Sequence, residues 1–137
     1  MEQFYPGLGI LLVYSLSLDN NKIWGSLPRQ LRNLVSLNVL YLQKNNFSGL
    51  IPSSIKKCEI FYDLRLSYNS LTGSIPVEIG KIGNLQVMLD LSGNFLSGSI
   101  PSSLVDLMML KVLSISPIIN LAVKFLMRLG ILEAWLS

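Results

Sequence analysis

The sequence has no histidine and a single cysteine, Cys58, among its 137 residues. Histidine is the usual proton carrier near neutral pH and a common zinc ligand, and one thiol cannot form an internal disulfide. Charge is also sparse, with 14% charged residues and a net charge of +3. The only adjacent basic pair is Lys56 and Lys57, so no basic stripe indicates nucleic-acid binding. Enzymatic activity, a metal site and a cofactor are therefore not expected.

Apolar residues are plentiful, at 50% of the chain, which is enough for a hydrophobic core. A set of asparagines separated by 24, 24 and 25 residues fixes a repeat register, with Gly four residues and Pro seven residues after each one. The positions are Asn21, Asn45, Asn69 and Asn94, then Gly25, Gly49, Gly73 and Gly98, then Pro28, Pro52, Pro76 and Pro101. Self-similarity at this period is typical of a repeat architecture.

Seven apolar columns keep the same register. They are Leu16, Leu40, Leu64, Leu89; Leu18, Leu42, Leu66, Leu91; Ile23, Phe47, Leu71, Leu96; Leu27, Ile51, Ile75, Ile100; Leu31, Ile55, Ile79, Leu104; Leu34, Cys58, Ile82, Leu107; and Leu37, Phe61, Leu85, Leu110. A coil that cannot bury its own apolar side must stack on its neighbours, which predicts parallel strands with the first two columns facing inward. One extra residue within 86–88 predicts a bulge before the fourth strand.

The invariant polar and special residues of the repeat have structural roles. An Asn side chain both donates and accepts hydrogen bonds, so a stacked column of them is expected to satisfy backbone groups of its own and the adjacent coil. Gly four residues later suits a turn with positive φ, and Pro suits the point where the chain leaves the sheet because it has no N–H to donate. Replacing a buried ladder Asn is expected to leave backbone groups unpaired.

The pattern LxxLxLxxNxLxGxIPxxLxxL, clearest in residues 61–85, resembles the plant-type leucine-rich repeat of receptor-like kinase and receptor-like protein ectodomains. The resemblance implies an α/β repeat solenoid: a right-handed coil with a parallel β-sheet on its concave face, a second short sheet on its flank, four full repeats and a degenerate fifth. It also implies binding of a peptide, a small hormone or a partner protein, pairing with a co-receptor, and a location at the extracellular face or plasma membrane.

Three segments are predicted. Residues 1–12 form an N-terminal partial repeat or extension, since Glu2 precedes the apolar run and argues against a signal peptide. Residues 13–115 hold the repeats, and residues 116–137 form a divergent, apolar, helical tail in which Ile118 replaces the ladder Asn. The tail is interpreted as a cap, an anchor or partner surface, or unrelated appended sequence. Its charges at Lys124, Arg128 and Glu133 disfavour a membrane span.

Candidate binding residues lie between the inward strand positions, because side chains of a strand alternate and these must face the concave surface. They are Tyr41, Gln43, Lys44, Asp63, Arg65, Tyr68 and Asp90. Tyr and Arg often carry interface energy, which favours a binding cluster of Tyr41, Arg65 and Tyr68. The equally weighted alternative is an ordinary solvated surface on which Arg65 pairs with Asp63 or Asp90 at little energetic gain.

Two other residues are assigned separately. Cys58 falls in a core column and is expected to behave as a small buried hydrophobe. Asn46 begins the only Asn-X-Ser/Thr glycosylation sequon, Asn46-Phe47-Ser48, and is a candidate glycosylation site on condition that the chain is secreted.

The sequence thus predicts a non-catalytic recognition module that binds a peptide or protein through its concave or lateral face. The alternative is a truncated ectodomain with only a structural role. An enzyme is a distant third interpretation, because no nucleophile and base, phosphate loop or kinase motif is present, and a kinase could exist only in a longer parent. Partners are expected to be peptides or proteins, with no nucleic acid; a membrane would be contacted only through a longer parent or weakly through the tail.

Overall fold

The computed structural model describes residues 13–57, 60–106 and 112–115. Each of the first four coils contains a strand of a first sheet, a strand of a flank sheet, and a 3₁₀ turn that returns the chain. The first-sheet strands are β1 (Ser15–Ser17), β3 (Val39–Tyr41), β5 (Asp63–Arg65), β7 (Met88–Asp90) and β9 (Val112–Ser114). The flank strands are β2 (Trp24–Ser26), β4 (Asn46–Leu50), β6 (Ser70–Ser74) and β8 (Phe95–Ser97). The 3₁₀ turns are Arg29–Asn33, Ser53–Lys57, Val77–Lys81 and Ser102–Asp106.

The first sheet is parallel and confirms the predicted register. Its strand order is β1-β3-β5-β7-β9, and Leu16, Leu40, Leu64, Leu89 and Leu113 align across it. The fifth coil therefore supplies a strand, as its leucine spacing predicts. The extra residue before the fourth strand is absorbed at 86–87, ahead of β7, so that the pairing of Leu64 with Leu89 continues unshifted.

The flank sheet is also parallel, in the order β2-β4-β6-β8, but its register slips by two residues per coil. Trp24, three residues after its ladder Asn, pairs with Asn46, which is only one residue after its own. By the same stagger Leu50, Thr72 and Phe95 form one row across three strands. Neighbours on the flank therefore come from different positions of the repeat.

The core lies between the two sheets and the 3₁₀ turns, and it is built from the seven apolar columns. Every buried hydrophobic residue in the described ranges belongs to one of them, and Leu40, Leu64 and Leu89 have no exposed surface. The columns open towards the ends, where Leu16 and Leu96 are only partly buried. Cys58, Leu107 and Leu110 lie outside the described residues, as do the segments 1–12 and 116–137.

The asparagine column performs its predicted role. Asn69, which is 6% exposed, accepts a hydrogen bond on Oδ1 from the backbone N–H of Phe47 at 3.0 Å. Its Nδ2 donates to the carbonyls of Leu42 and Leu66, both at 3.0 Å. Asn45 and Asn94 make the equivalent bonds. Each of these side chains thus closes the turn of the coil before it.

Asn21 differs because it lies in the first coil of the described ranges. Its side chain is exposed, and its Nδ2 donates within its own coil to the carbonyls of Leu18 and Asp19 at 2.9 and 3.1 Å. The first ladder asparagine therefore makes fewer hydrogen bonds than the inner ones, and its side chain is exposed to solvent.

Two turns in each coil require left-handed backbone. The first turn, which the sequence predicts, lies at the glycine four residues after each ladder Asn. Gly73 has φ of 76° there, and the side chain of Leu50 occupies the space that a Cβ on Gly73 would need. The second lies directly before each ladder Asn and was not predicted. Lys44 and Tyr68 adopt φ of 58° and 54° there, and Gly93 occupies the same place in the fourth coil.

The prolines begin the return turns. Pro76 has φ of −65° and ψ of 139°, an extended conformation, and its carbonyl accepts the first 3₁₀ hydrogen bond from the N–H of Ile79 at 3.1 Å. The same bond joins Leu31 to Pro28 at 3.2 Å. Pro is suited to this point because its carbonyl accepts the first hydrogen bond of the turn, whereas no N–H group is required at this position.

Candidate functional site

The centre of the concave face is a cluster of three of the predicted residues, Tyr41, Asp63 and Arg65. The Tyr41 hydroxyl donates to Asp63 Oδ2 at 2.8 Å. Arg65 donates from Nε to Asp63 Oδ1 and from Nη2 to Asp63 Oδ2, both at 2.9 Å. The guanidinium carbon also lies 4.6 Å from the centre of the Tyr41 ring. The cluster is therefore held by a bidentate ion pair, a phenol hydrogen bond and a cation–π contact.

The sheet register explains why these side chains meet. Asp63 and Arg65 are two residues apart on β5, so both face the concave side, and Arg65 pairs directly with Tyr41 of the neighbouring strand. Arg65 can then fold back onto the carboxylate of its own strand while covering the Tyr41 ring. As a result the Asp63 side chain is 5% exposed, whereas that of Arg65 keeps 32%.

Hydrogen bonding to Asp63 shifts the pKa values of both of its partners, Tyr41 and Arg65. The hydrogen bond to the Asp63 carboxylate raises the pKa of Tyr41, because it is donated only by the protonated phenol. The hydrogen bonds to Asp63 also raise the pKa of Arg65, whose charged form the carboxylate favours. The Arg65 guanidinium is thus paired with the Asp63 carboxylate, and part of the Arg65 side chain is exposed to solvent.

Asp90 and Gln43 flank this cluster. Asp90 pairs with Arg65 in the sheet register, but its Oδ1 accepts hydrogen bonds from the N–H of Ser92 at 3.1 Å and from the Ser92 hydroxyl at 2.7 Å. Gln43 is half-buried, and its Oε1 is a buried acceptor with no hydrogen-bond partner among the described residues. The Gln43 side chain therefore places a buried acceptor, unpaired within the described ranges, two residues after Tyr41.

Lys44 and Tyr68 lie at the left-handed turns that follow β3 and β5, and both are exposed. The Tyr68 ring lies directly over Gly93: a Cβ placed on that glycine would be 2.6 Å from Tyr68 Cδ1. The predicted cluster of three is thus partly assembled. Tyr41 and Arg65 contact each other, whereas Tyr68 packs against Gly93 towards the edge of the face.

An acidic residue outside the predicted set, Asp19, lies at the first-coil end of the same face. Hydrogen bonds from the Ser17 hydroxyl and the Asn20 amide lower the pKa of Asp19. Within the described ranges, no three His, Cys, Asp or Glu side chains are grouped so as to hold a metal ion. In the same ranges, no helix has the length and apolar character needed to cross a membrane.

Asn46, the candidate glycosylation residue, begins β4 on the flank sheet. Asn46 and Ser48 are both exposed, and the backbone N–H of Asn46 donates to the carbonyl of Ile23 at 2.8 Å. Its side chain is free of the core. Trp24, its neighbour in the sheet register, is 63% exposed and was not singled out from the sequence, although Ser or Thr fills its position in the other coils.

Comparison with known families decides what kind of repeat this is. The model of the family described as Leucine Rich Repeat matches four successive segments, residues 13–34, 36–58, 62–82 and 87–107. The chain belongs to the leucine-rich-repeat family. The matched segments coincide with the coils described above, so the resemblance drawn from the repeat pattern is confirmed.

Solved structures place this leucine-rich-repeat chain close to plant receptor ectodomains. A BIR3–SERK2 complex from Arabidopsis thaliana matches with 42% identity and a TM-score of 0.74, over 77% of this chain and 56% of the matched one. The Arabidopsis receptor kinase HAESA, in complex with the peptide hormone IDA and the co-receptor SERK1, matches with 36% identity and a TM-score of 0.74, over 82% of this chain and 20% of the other.

The fold also serves a different purpose in plants. A plant ice-binding protein matches with 34% identity and a TM-score of 0.70, over 74% of this chain and 33% of that protein. The chain spans less than two thirds of each of these relatives. Similarity to leucine-rich-repeat ectodomains supports a binding module in general, and the particular binding mode has to be argued from this chain's own surface.

Proposed function

We propose that the chain is a non-catalytic recognition module that binds a peptide or a protein across the centre of its concave face. The observation that carries the proposal is the Tyr41–Asp63–Arg65 cluster. An aromatic ring and a guanidinium are held in one geometry before any ligand arrives, so little side-chain entropy remains to be lost on binding. Tyr and Arg are also the side chains most often found at the energetic centre of interfaces.

The neighbouring polar groups support a peptide as the ligand. The exposed part of the Arg65 side chain can donate hydrogen bonds to a carbonyl or a carboxylate of a peptide. Tyr68 and Lys44 extend the surface along the edge of the sheet. Relatives solved with peptide hormones and co-receptors make this class of partner the natural one to test.

The test is a peptide-display selection on the full chain, followed by affinity measurement of the selected peptides against variants. Arg65→Lys keeps the charge beside Asp63 but loses the bidentate geometry. Tyr68→Asn removes the exposed ring while keeping a residue that tolerates positive φ. Each is expected to weaken binding by about tenfold or more, equivalent to about 1.4 kcal/mol.

The control variant is Val35→Ala, which alters an exposed apolar residue outside the concave face and should leave affinity unchanged. If Arg65→Lys and Tyr68→Asn bind all selected peptides as tightly as the unchanged protein does, the concave face is not the recognition surface. The same conclusion follows if Val35→Ala is as damaging as either of them.

We also propose an extracellular location and modification at Asn46. The relatives include the ectodomain of a plant membrane receptor kinase, and Asn46 is exposed at a surface strand where a glycan displaces no core contact. Expression through a plant secretory pathway should give a chain whose apparent mass falls after enzymatic deglycosylation. Asn46→Gln should abolish that shift. A shift that persists in Asn46→Gln would contradict the assignment.

The alternative function, a purely structural part of an ectodomain, makes a different prediction. Exposed ends of the stack present strand edges and apolar surface, so such a piece would self-associate until flanking coils were added. Size-exclusion chromatography of the full chain distinguishes the two cases. A stable monomer supports an autonomous module, and aggregation that added repeats suppress supports the structural role.

A further inference from the structure

A second surface with the properties of a binding site lies on the flank. A groove of about 1110 Å³ runs between the flank sheet and the return turns of the first three coils. Trp24 and Leu50 contribute its apolar side, Arg29 and Arg32 its basic side, and Ser53 and Ser74 lie along its length. None of these residues belongs to the concave face, so this groove is a separate site.

The apolar side of the groove is formed by two large exposed side chains at repeat positions that hold Ser or Thr in the other coils. Trp24 is 63% exposed and Leu50 is 65% exposed, in a region where the repeat otherwise places hydroxyl residues. At the repeat position of Leu50 the other coils have Ser26, Ser74 and Ser99. Large apolar side chains left open at these two positions give the groove a surface that gains free energy when a partner covers it.

Within the part of the chain that the structure describes, the basic side of the groove has no counter-charge. Arg29 and Arg32 belong to the same 3₁₀ turn, both are exposed, and no described Asp or Glu lines the groove. Among the described residues the only ion pair joins Arg65 to Asp63 on the opposite side of the molecule's core. The two guanidinium groups are therefore available to carboxylates from outside.

We propose that this flank groove binds an acidic peptide segment that carries a large apolar side chain. Guanidinium groups bind carboxylates in a bidentate manner, which selects acidic residues over neutral ones. Trp24 and Leu50 receive the apolar side chain, and the serine hydroxyls lie where a peptide backbone passes. The open shape suits a chain segment, since small-molecule sites are usually enclosed clefts.

The experiment measures fluorescence anisotropy with a labelled probe peptide of ten residues, made of Asp and Glu around a central leucine. The full chain is produced in bacteria, so that Asn46 carries no glycan beside Trp24. A second peptide with Asn and Gln in place of the acidic residues tests charge. Salt is kept at 0.1 M, where the screening length of about 10 Å suppresses attraction from distant charges.

Two matched double variants separate the groove from general positive charge. Arg29→Gln with Arg32→Gln removes both cations of the groove, and Lys22→Gln with Lys81→Gln removes two exposed cations outside it. The first pair should weaken binding of the acidic probe at least tenfold, and the second should change it by less than twofold. Urea midpoints of both variants that equal the midpoint of the unchanged protein establish that both remain folded.

The apolar part of the site is tested with Leu50→Ser, which introduces the residue type found at this position in other coils. It should weaken the acidic probe at least threefold. Equal weakening by both charge pairs, no effect of Leu50→Ser, or equal affinity for the neutral peptide overturns the proposal. So does release of the peptide by vesicles containing phosphatidylserine, because the groove would then be a lipid-binding surface. Each of these results leaves the concave-face proposal intact.

Discussion

Replacing Asn69 by leucine removes a buried amide of similar size and tests the asparagine ladder directly. Four groups lose a bond: the N–H of Phe47 and the carbonyls of Leu42, Leu66 and Ser67. Each of the three carbonyls keeps a second donor: Nδ2 of Asn45 for Leu42, Nδ2 of Asn94 for Leu66, and the N–H of Lys44 for Ser67, at 3.1, 3.0 and 2.9 Å. Among the described residues, the Phe47 N–H has Asn69 Oδ1 as its one acceptor, so the substitution leaves it unpaired.

The expected loss of stability depends on whether each group that loses its bond to Asn69 keeps another partner. One buried donor without a partner costs about 1–3 kcal/mol, and the loss of the shared bonds to the carbonyls adds about 1 kcal/mol. We expect Asn69→Leu to lower the free energy of unfolding by about 2–4 kcal/mol. Asn21→Leu is the matched control, because Asn21 is exposed and its displaced groups can bond to water. Its cost should be below about 1 kcal/mol.

Urea unfolding followed by circular dichroism measures both variants. With a slope of about 2 kcal/mol per molar urea, Asn69→Leu should lower the midpoint by about 1–2 M. Asn69→Asp adds a check, since a carboxylate can accept from Phe47 but cannot donate to the carbonyls and carries a buried charge. It should be more destabilising at pH 7 than at pH 4. Equal losses for Asn69→Leu and Asn21→Leu would refute the argument.

Two other predictions follow from close contacts. Gly80 faces the backbone of Ser103 in the next coil with no room for a Cβ, so Gly80→Ala should cost about 1–3 kcal/mol, while Gly83→Ala, in open space, should stay within about 0.5 kcal/mol in the same urea assay. The pKa of Tyr41, measured by ¹³C NMR, should fall when Asp63→Asn removes the charged acceptor. The hydrogen bond from Tyr41 to Asp63 stabilises the folded protein as long as the phenol is protonated. Because the pKa of Tyr41 is raised only in the folded state, this stabilisation is complete below the ordinary tyrosine pKa and is lost as the pH rises through the raised pKa of the folded state. No change in the Tyr41 pKa would contradict the hydrogen bond.

Much of the fold could be predicted because most repeat positions allow one physical role. A column of leucines at one position has to lie inside, and a column of asparagines is useful only where backbone groups need both a donor and an acceptor. The pairing of Leu64 with Leu89 and the bonds of Asn69 confirm these two predictions. The left-handed turns before the ladder were missed, because Lys44 and Tyr68 show no preference for that backbone.

The flank and the candidate site were less predictable, because they depend on geometry between coils. The two-residue slip of the second sheet pairs Trp24 with Asn46, and repeat alignment alone cannot show it. Alternation correctly placed Asp63 and Arg65 on the concave side. It could not show that Arg65 and Tyr41 would cover Asp63, since that burial depends on side-chain conformations chosen among several.

The direction of the asparagine bonds has a consequence for how the chain is made. The N–H groups of Ile23, Phe47 and Leu71 donate to the side-chain Oδ1 atoms of asparagines that lie 22, 22 and 23 residues further along the chain. The ribosome synthesises the N-terminal end first. The turn of each newly made coil therefore lacks its asparagine acceptor until the following coil has been synthesised. We expect folding along the nascent chain to lag at least one coil behind translation, and a chain stopped between coils to end in a turn whose N–H group lacks its asparagine acceptor.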